Sequence, residues 1–526
     1  MPFRFTQEDA LTAWSNFHHT IHQRPIAHYL TPDGLSDTAS LATPAPRRQA
    51  AALDDILTFC LRALPPKRLV TVGGTWSMSD VLDPLEVVLD PRAFHQVATV
   101  EPSMLTPAYR ASAAPRGGVP VLVQGGTKMR DLNEVLGKAG LALQTSGAND
   151  GHRLAGCIAT GTHGSALGIG AVHDTVLAVV LVTAPGQAVL LQPSQASFTP
   201  ALAAWVQAST GLAVKDDPDD VRFAAAQVAL GALGFVHSVV VEAVPLYELV
   251  GTVVPLAQTD PRLWAVAGRL DTSGLDARPT PYHVGVLVNP YATPSRPTGA
   301  FVTLLWKQAP TRPFAGPSAA SAMVATDTSK LLSALVPVAG TLLPPPVMEL
   351  ILSSIIDGQY ATSAVGPLFP GQAFGPTTLA PGNGRSTEVV FDLAHGVRGL
   401  TAIVEALRAQ ARQGRYLLGI LGVRFGPKSK ALLGMARAPM NMYVEVPSLG
   451  TVHTSAIQQA CWQALRDAGI PFTCHWGQEH ALTAAGVTAA YGADAARWVA
   501  ARRALLPTAA QQQVFGSPML TRLGLD

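Results

Sequence analysis

The sequence predicts an α+β protein, and three patterns point to that class. Short apolar strands ending in glycine-rich turns begin at Arg68 and recur at Val119 to Val123. A capped amphipathic helix then follows, with another short strand at Leu141 to Gln144. From about Tyr247 to Gly450, strands and helices alternate with Pro-rich loops, a composition suited to a second α+β domain.

Composition bounds the reading. The 526 residues suggest two to four domains, or two large ones, at about 150 residues each. Hydrophobic residues make up 48% and charged ones 14%, which excludes a disordered chain and supplies large cores. With 37 basic and 35 acidic side chains and no basic stripe, nucleic acid is not an expected partner. Four cysteines without metal-type or C-x-x-C spacing suggest neither disulfides nor zinc, and fit a reducing compartment. Acidic residues stand where a secretory signal would carry its apolar core, so a cytoplasmic location is expected.

In chain order, residues 1–50 read as an amphipathic helix from Gln7 to His22 and a Pro-, Ala- and Thr-rich strap, with His18, His19 and His22 on a solvated face rather than as ligands. Arg68 to Val72 reads as a strand ending in Gly73-Gly-Thr-Trp-Ser77, and Val119 to Val123 as one ending in Gln124-Gly-Gly-Thr127. The next helix is expected to start at Asp131 as N-cap, with Glu134 completing a capping box and Gly140 as the stop. Ser146 to Ser165 is rich in Gly, Ala, Ser and Thr. Small side chains let the backbone approach a large planar or phosphorylated ligand, and successive N–H groups form an anion nest.

Further on, Tyr282 to Asn289, Ala300 to Trp306, Thr387 to Asp392, Tyr416 to Phe425 and Met440 to Val446 read as strands, and Ser455 to Asp467 as a helix. The apolar run Leu331 to Ile356 is broken by Pro337, Pro344 to Pro346 and Glu349, so it does not read as a transmembrane helix. It reads as a core helix pair with a proline corner, or else as an apolar lid with peripheral membrane contact. No P-loop, no Rossmann fingerprint and no G-x-S-x-G elbow occurs.

The ordered motifs Val72-Gly-Gly-Thr-Trp-Ser-Met-Ser-Asp80, Gly126 to Asn133, Leu154-Ala-Gly-Cys-Ile-Ala-Thr-Gly-Thr-His-Gly-Ser165, Asp174-Thr-Val176 and Leu230-Gly-Ala-Leu-Gly-Phe-Val236 resemble the FAD-binding module of the vanillyl-alcohol-oxidase (PCMH-type) flavoproteins. His475-Trp476-Gly477-Gln478 is similar to the His-Trp-Gly-Lys tail motif of the aldonolactone and alditol oxidase branch. The resemblance implies a two-lobed FAD-binding domain (51–246), a substrate domain with an antiparallel sheet flanked by helices (247–470), and a tail (471–526) returning to the flavin. It also implies FAD contacts at Thr71, Val72, Gly73, Gly74, Thr75, Trp76, Ser77, Ala148, Arg153, Gly156, Thr160, Gly161, Thr162, His163, Val236 and Gln478, and no metal.

Departures from the family refine the expectation. Many relatives attach the flavin through a histidine where this chain has Trp76, so the FAD is expected to be dissociable, and Cys157 is expected to be a packing residue. The family's Glu-x-Arg pair is Gly422-Val423-Arg424 here, its tail lysine is Gln478, and a serine that meets polyols is Ala148. Arg424 is therefore the first catalytic candidate, with Glu445 and Gln478; Glu479 and His480 stand as alternative acid or base groups. The expected function is hydride removal from a CH–OH donor less polar than a simple polyol, with oxygen or another acceptor. An aldonolactone or sugar oxidase and a non-catalytic flavin-binding or assembly protein are the alternatives.

Overall fold

The computed structural model describes residues 6–7, 13–32, 45–83, 86–147, 149–316, 344–359, 364–374 and 384–526. Three sheets of at least four strands position the site. The strands Thr6–Gln7, His28–Thr31, Val87–Leu89 and Leu69–Thr71 form a four-stranded sheet whose last three strands are parallel. A seven-stranded sheet is built around Val176–Ala184, Phe235–Pro245 and Val119–Gln124. All three of these strands are nearly continuous runs of buried residues, mostly aliphatic but with His237, Ser238 and Glu242 in the second, the pattern of a sheet covered on both faces.

The third sheet has eight strands in the order Ala364–Leu368, Glu248–Ala257, Thr298–Gln308, His283–Val288, Leu421–Pro427, Met440–Leu449, Gly384–Asp392 and Thr473–Cys474. Every pairing in it is antiparallel. Helices Gly396–Ala411 and Thr454–Asp467 pack together beside it, the first burying Leu400, Ile403, Val404 and Leu407 at helical spacing. Helix Ala45–Arg62 buries Leu53, Ile56, Leu57 and Cys60 in the same way, and each such aliphatic side chain contributes about 1.5–3 kcal/mol relative to exposure.

The structure corrects several local expectations. Residues 13–22 are not helical: Ala13–Trp14 pairs with Arg24–Pro25 as a small hairpin, and His19 and Gln23 take positive φ. The Asn16 side chain bonds the Ile21 amide and the Ser77 carbonyl, and the Phe17 amide donates to Thr75, so local periodicity loses to docking on the first glycine turn. His18 is consequently buried, not solvated. The helix expected at Asp131 starts earlier and spans Met129–Lys138, with Lys128 as N-cap and no capping box. Its early amides donate instead to His152 and Asp150 carbonyls, a tertiary solution to the unpaired first turn. The strand expected from Tyr416 begins only at Leu421. Of the run Leu331 to Ile356, residues 331–343 lie outside the described residues. Pro345–Gln359 is a single helix that buries Met348, Leu352 and Ile356. Among the described residues, no helix is long and apolar enough to cross a membrane.

Candidate functional site

Strand Leu69–Thr71 feeds the turn 73–77 on the wall of a cavity of about 400 Å³. The turn is tight enough that Thr75 adopts φ +61°, a left-handed conformation that costs a non-glycine residue free energy and persists only where its surroundings enforce it. A Cβ on Gly74 would stand 2.5 Å from the Gly151 carbonyl, so only glycine fits there. The tail supplies part of that enforcement. Met78 N–H and the Ser77 hydroxyl donate to the Gly477 carbonyl at 2.7 and 3.0 Å, and the Ser79 hydroxyl donates to Trp476 O at 2.6 Å.

The second glycine-rich segment meets the first. Helix Leu154–Thr160 ends at Gly161, whose φ of +81° forms a left-handed cap. Gly156 lies so near the first turn that a Cβ on Gly73 would be 3.7 Å from its Cα. Arg153 ties the two segments by donating to the Gly126 carbonyl at 2.6 Å and the Gly73 carbonyl at 3.2 Å. The result is a cradle of backbone with small side chains, able to receive a pyrophosphate or a planar ring.

Across the cavity lie three adjacent strands of the eight-stranded sheet. Register places Gly422 opposite Glu445 and Glu445 opposite Glu388, so both carboxylates stand on one sheet face. Arg424, two residues along from Gly422, donates to Glu445 Oε2 at 2.9 Å and reaches Glu388 Oε1 at 3.5 Å. Gln478 donates to Glu445 Oε1 at 3.1 Å and accepts from the Ser386 hydroxyl. A Cβ on Gly422 would make only ordinary contact with Glu445, 3.6 Å from its Oε2. Glu445, on the neighbouring strand, thus stands as a carboxylate beside Gly422.

Glu388 is 1% exposed. Burial opposes its ionisation, yet His163, His475 and Arg424 hold its carboxyl down at about 2. Burial likewise opposes the Arg424 charge, but Glu445 and Glu388 more than offset it and raise its value. Burial presses His475 down to about 3 and His18 to about 4. The donor atoms of His163, Glu388 and His475 lie within 4.8 Å of one another, a set of metal-ligand types. The Arg424 guanidinium beside Glu388 opposes a further cation, and no metal site is built on them.

Of the residues named from the sequence, Thr71, Gly73, Gly74, Thr75, Trp76, Ser77, Arg153, Gly156, Thr160, Thr162, His163, Val236, Arg424, Glu445 and Gln478 line this one cavity. Two do not. Val72 turns into a core with Trp14 and Tyr29, and Gly161 faces Met435. Ala148 lies outside the described residues. Glu479 is committed to Arg385 and Gln458, and His480 packs edge-on to Trp476, so neither alternative acid or base reaches the cavity. Sequence reasoning missed Glu388, His152 and His18. The signal for Glu388 was an acid directly before the apolar run Val389 to Phe391 of a strand; the other two were hidden in loops.

Trp76, on the first glycine turn, is enclosed by aromatic neighbours. Phe17 stacks on it at 4.1 Å, His18 meets it edge-on at 5.3 Å and His152 tilts against it at 5.1 Å. Cys157 is buried, and burial pushes its thiol up to about 12, as befits a packing residue.

No protein-family model matches the chain. It is 32% identical over 129 residues to a putative D-arabinono-1,4-lactone oxidase of Neurospora crassa, covering 24% of this chain and 19% of that protein. It is 27% identical over 211 residues to the L-gulono-1,4-lactone dehydrogenase of Mycobacterium tuberculosis, covering 40% of this chain and 39% of that one. The aligned part therefore spans from about a fifth to two fifths of these relatives' lengths. Two solved structures superpose over nearly the whole chain. A cholesterol oxidase from Brevibacterium sterolicum gives a TM-score of 0.69 at 12% identity, covering 99% of this chain and 97% of its own. A solvent-stable cholesterol oxidase gives 0.65 at 15% identity, with 98% and 97% covered.

The chain shares the cholesterol oxidase fold. The α+β architecture expected from the sequence is the one those enzymes carry, and the resemblance drawn from the glycine turns is borne out by the lactone-oxidising relatives.

Proposed function

We propose that this protein is an FAD-dependent oxidoreductase that oxidises a CH–OH donor. One observation carries the reading: two glycine-bearing segments, 73–77 and 153–163, touch along one side of a cavity whose other side presents Arg424, Glu445 and Gln478. The backbone cradle fits a dinucleotide, and residues 73–77, Arg153, Gly156, Thr160, Thr162, His163 and Val236 would hold it. When bound, FAD supplies the hydride acceptor.

The chain's own groups prepare the donor. Arg424 orients the donor oxygen and stabilises the negative charge that grows on it as the C–H bond breaks. Glu445 takes the hydroxyl proton, with Gln478 and Ser386 fixing its other oxygen. Because Gln478 and Ser386 are already engaged with one another and with Glu445, these groups offer less to a hydroxyl-rich ligand, which favours a less polar alcohol. Trp76 cannot form the histidyl bond, so the flavin is held non-covalently. Oxygen or another acceptor completes the cycle, and a cytoplasmic setting belongs to the same proposal.

A second reading, an aldonolactone donor, is favoured by the names of the sequence relatives. Spectra of the purified protein, taken before and after addition of sugar lactones, polyols, sterols and aliphatic alcohols, separate the two. The proposal expects a yellow protein that an alcohol bleaches and that acid precipitation strips of colour. A protein that stays colourless in excess FAD refutes it, and tight flavin with no bleaching by any donor points to a binding role.

A further inference from the structure

The N-terminal segment 15–23 borders the cavity through His18, and the proposed chemistry does not use it. Its backbone is bent by two left-handed residues, His19 at φ +56° and Gln23 at φ +53°. Asn16 is 1% exposed and holds the bend: its Nδ2 donates to the Thr20 hydroxyl and the Ser77 carbonyl, both at 2.7 Å, and its Oδ1 receives the Ile21 amide. Phe17 N–H donates to the Thr75 carbonyl at 2.8 Å. The segment is thereby fastened to the first glycine turn on both sides of Trp76.

This fastening sets the rings. Phe17 stacks on Trp76 with the two planes 13° apart. Gly151, from the second glycine-rich segment, closes on the same indole, since a Cβ there would stand 2.9 Å from Trp76 Nε1. His18 meets the indole edge-on and lies over Gly384, whose Cβ would come within 2.6 Å of His18 Nδ1. Gly384 shares a strand and, at two-residue spacing, a face with Ser386 and Glu388. The segment therefore reaches from the glycine side to the sheet side, and Trp76, His18 and His152 line the cavity there.

We infer that residues 16–18 form a third wall of the flavin-holding site: Asn16 and Phe17 are positioning residues for Trp76, and Trp76 with His18 receives the apolar edge of the flavin ring. The inference rests on the proposed flavin reading. Complementarity assigns the parts. Peptide N–H groups of the glycine turns suit a pyrophosphate, and Arg424 with Gln478 suits the polar half of the ring or a donor oxygen. The Trp76 end offers ring carbons and an imidazole that burial lowers to about 4, uncharged at neutral pH, which suits a methylated benzene edge. Position separates the flavin ring from the adenine. Gly477 bonds to Ser77 and Met78 beside Trp76, and the next residue, Gln478, bonds to Glu445. The aromatic end and the reactive end are neighbours, so the wall serves the reacting ring.

The test is calorimetric titration of flavin-free protein with FAD and, separately, with ADP, which carries adenine and pyrophosphate without the flavin ring. Phe17→Ala is expected to weaken FAD about three- to tenfold, the worth of one aromatic pair, and to leave ADP unchanged. Phe17→Tyr keeps the stack and is expected to retain the FAD affinity of the unsubstituted protein. Equal weakening of FAD and ADP overturns the inference, because the segment then only braces the turn. Unchanged FAD affinity in Phe17→Ala also overturns it, as does a Phe17→Tyr protein as weak as Phe17→Ala. Should Phe17→Ala fail to fold, His18→Ala decides the question by the same comparison of FAD with ADP. An unsubstituted protein that binds no FAD fails the flavin reading itself, whereas equal FAD affinity across the variants fails the third wall alone.

Discussion

The two sides of the cavity are built by different means. The glycine side, residues 73–77 and 153–163, works through backbone: N–H groups, missing side chains and one left-handed threonine. The sheet side works through charged side chains from strands Gly384–Asp392, Leu421–Pro427 and Met440–Leu449, paired with one another at 2.9–3.5 Å. Binding a large ligand through backbone tolerates few substitutions but needs no net charge. Stabilising a transient charge needs fixed ions, whose positions depend on strand register.

Substitutions should therefore separate holding from reacting. The largest effect is expected at Arg424→Ala, with flavin reduction slowed by about 10²–10³-fold while the FAD-to-protein ratio stays unchanged. Rapid-mixing kinetics and absorbance measure the two quantities, and equal loss of both would erase the distinction. Next comes Gly74→Ala. Its Cβ meets the Gly151 carbonyl, so stability should fall by about 1–3 kcal/mol and FAD retention should fall with it, read by denaturation and by gel filtration of the yellow protein.

Acid sharpens the contrast further. Burial holds His237 at about 4 and His283 at about 3, well below their unfolded value near 6.5. As pH falls below about 6.5 the unfolded chain takes these protons first, so each such histidine removes up to about 1.4 kcal/mol per pH unit until its folded value is reached. Glu388 has the opposite charge type but the same direction: its contribution is complete above about 4.5 and is lost as pH falls toward about 2. Urea midpoints between neutral and acid pH should decline in two windows, and His237→Phe should flatten the upper one. The smallest effect is expected at Gly422→Ala, whose Cβ would make ordinary contact with Glu445, leaving stability within about 0.5 kcal/mol.

Legibility in the sequence follows the same division. The glycine side could be read directly, because close backbone approach demands Gly and Thr at fixed local spacing. Most of the strands and the helix Thr454–Asp467 were also legible from periodicity. The charged side was readable only in part. Arg424 and Glu445 stood out as charges on strands, but Glu388 joins them only through a register that no local pattern states. Residues 13–22 misled for the opposite reason: a helical rhythm was present, and Asn16 and Phe17 gave it up to dock on Thr75, Trp76 and Ser77.

The bonds from Ser77 and Ser79 to Gly477 and Trp476 join residues about four hundred positions apart. During synthesis the first turn emerges long before its partner exists, so the nascent chain must carry an unfinished cradle through most of translation. On the proposed flavin reading, cofactor capture is accordingly a late event of biogenesis, and premature termination ahead of His475 would leave the first turn held by Asn16, Phe17 and Arg153 but without its bonds to the tail.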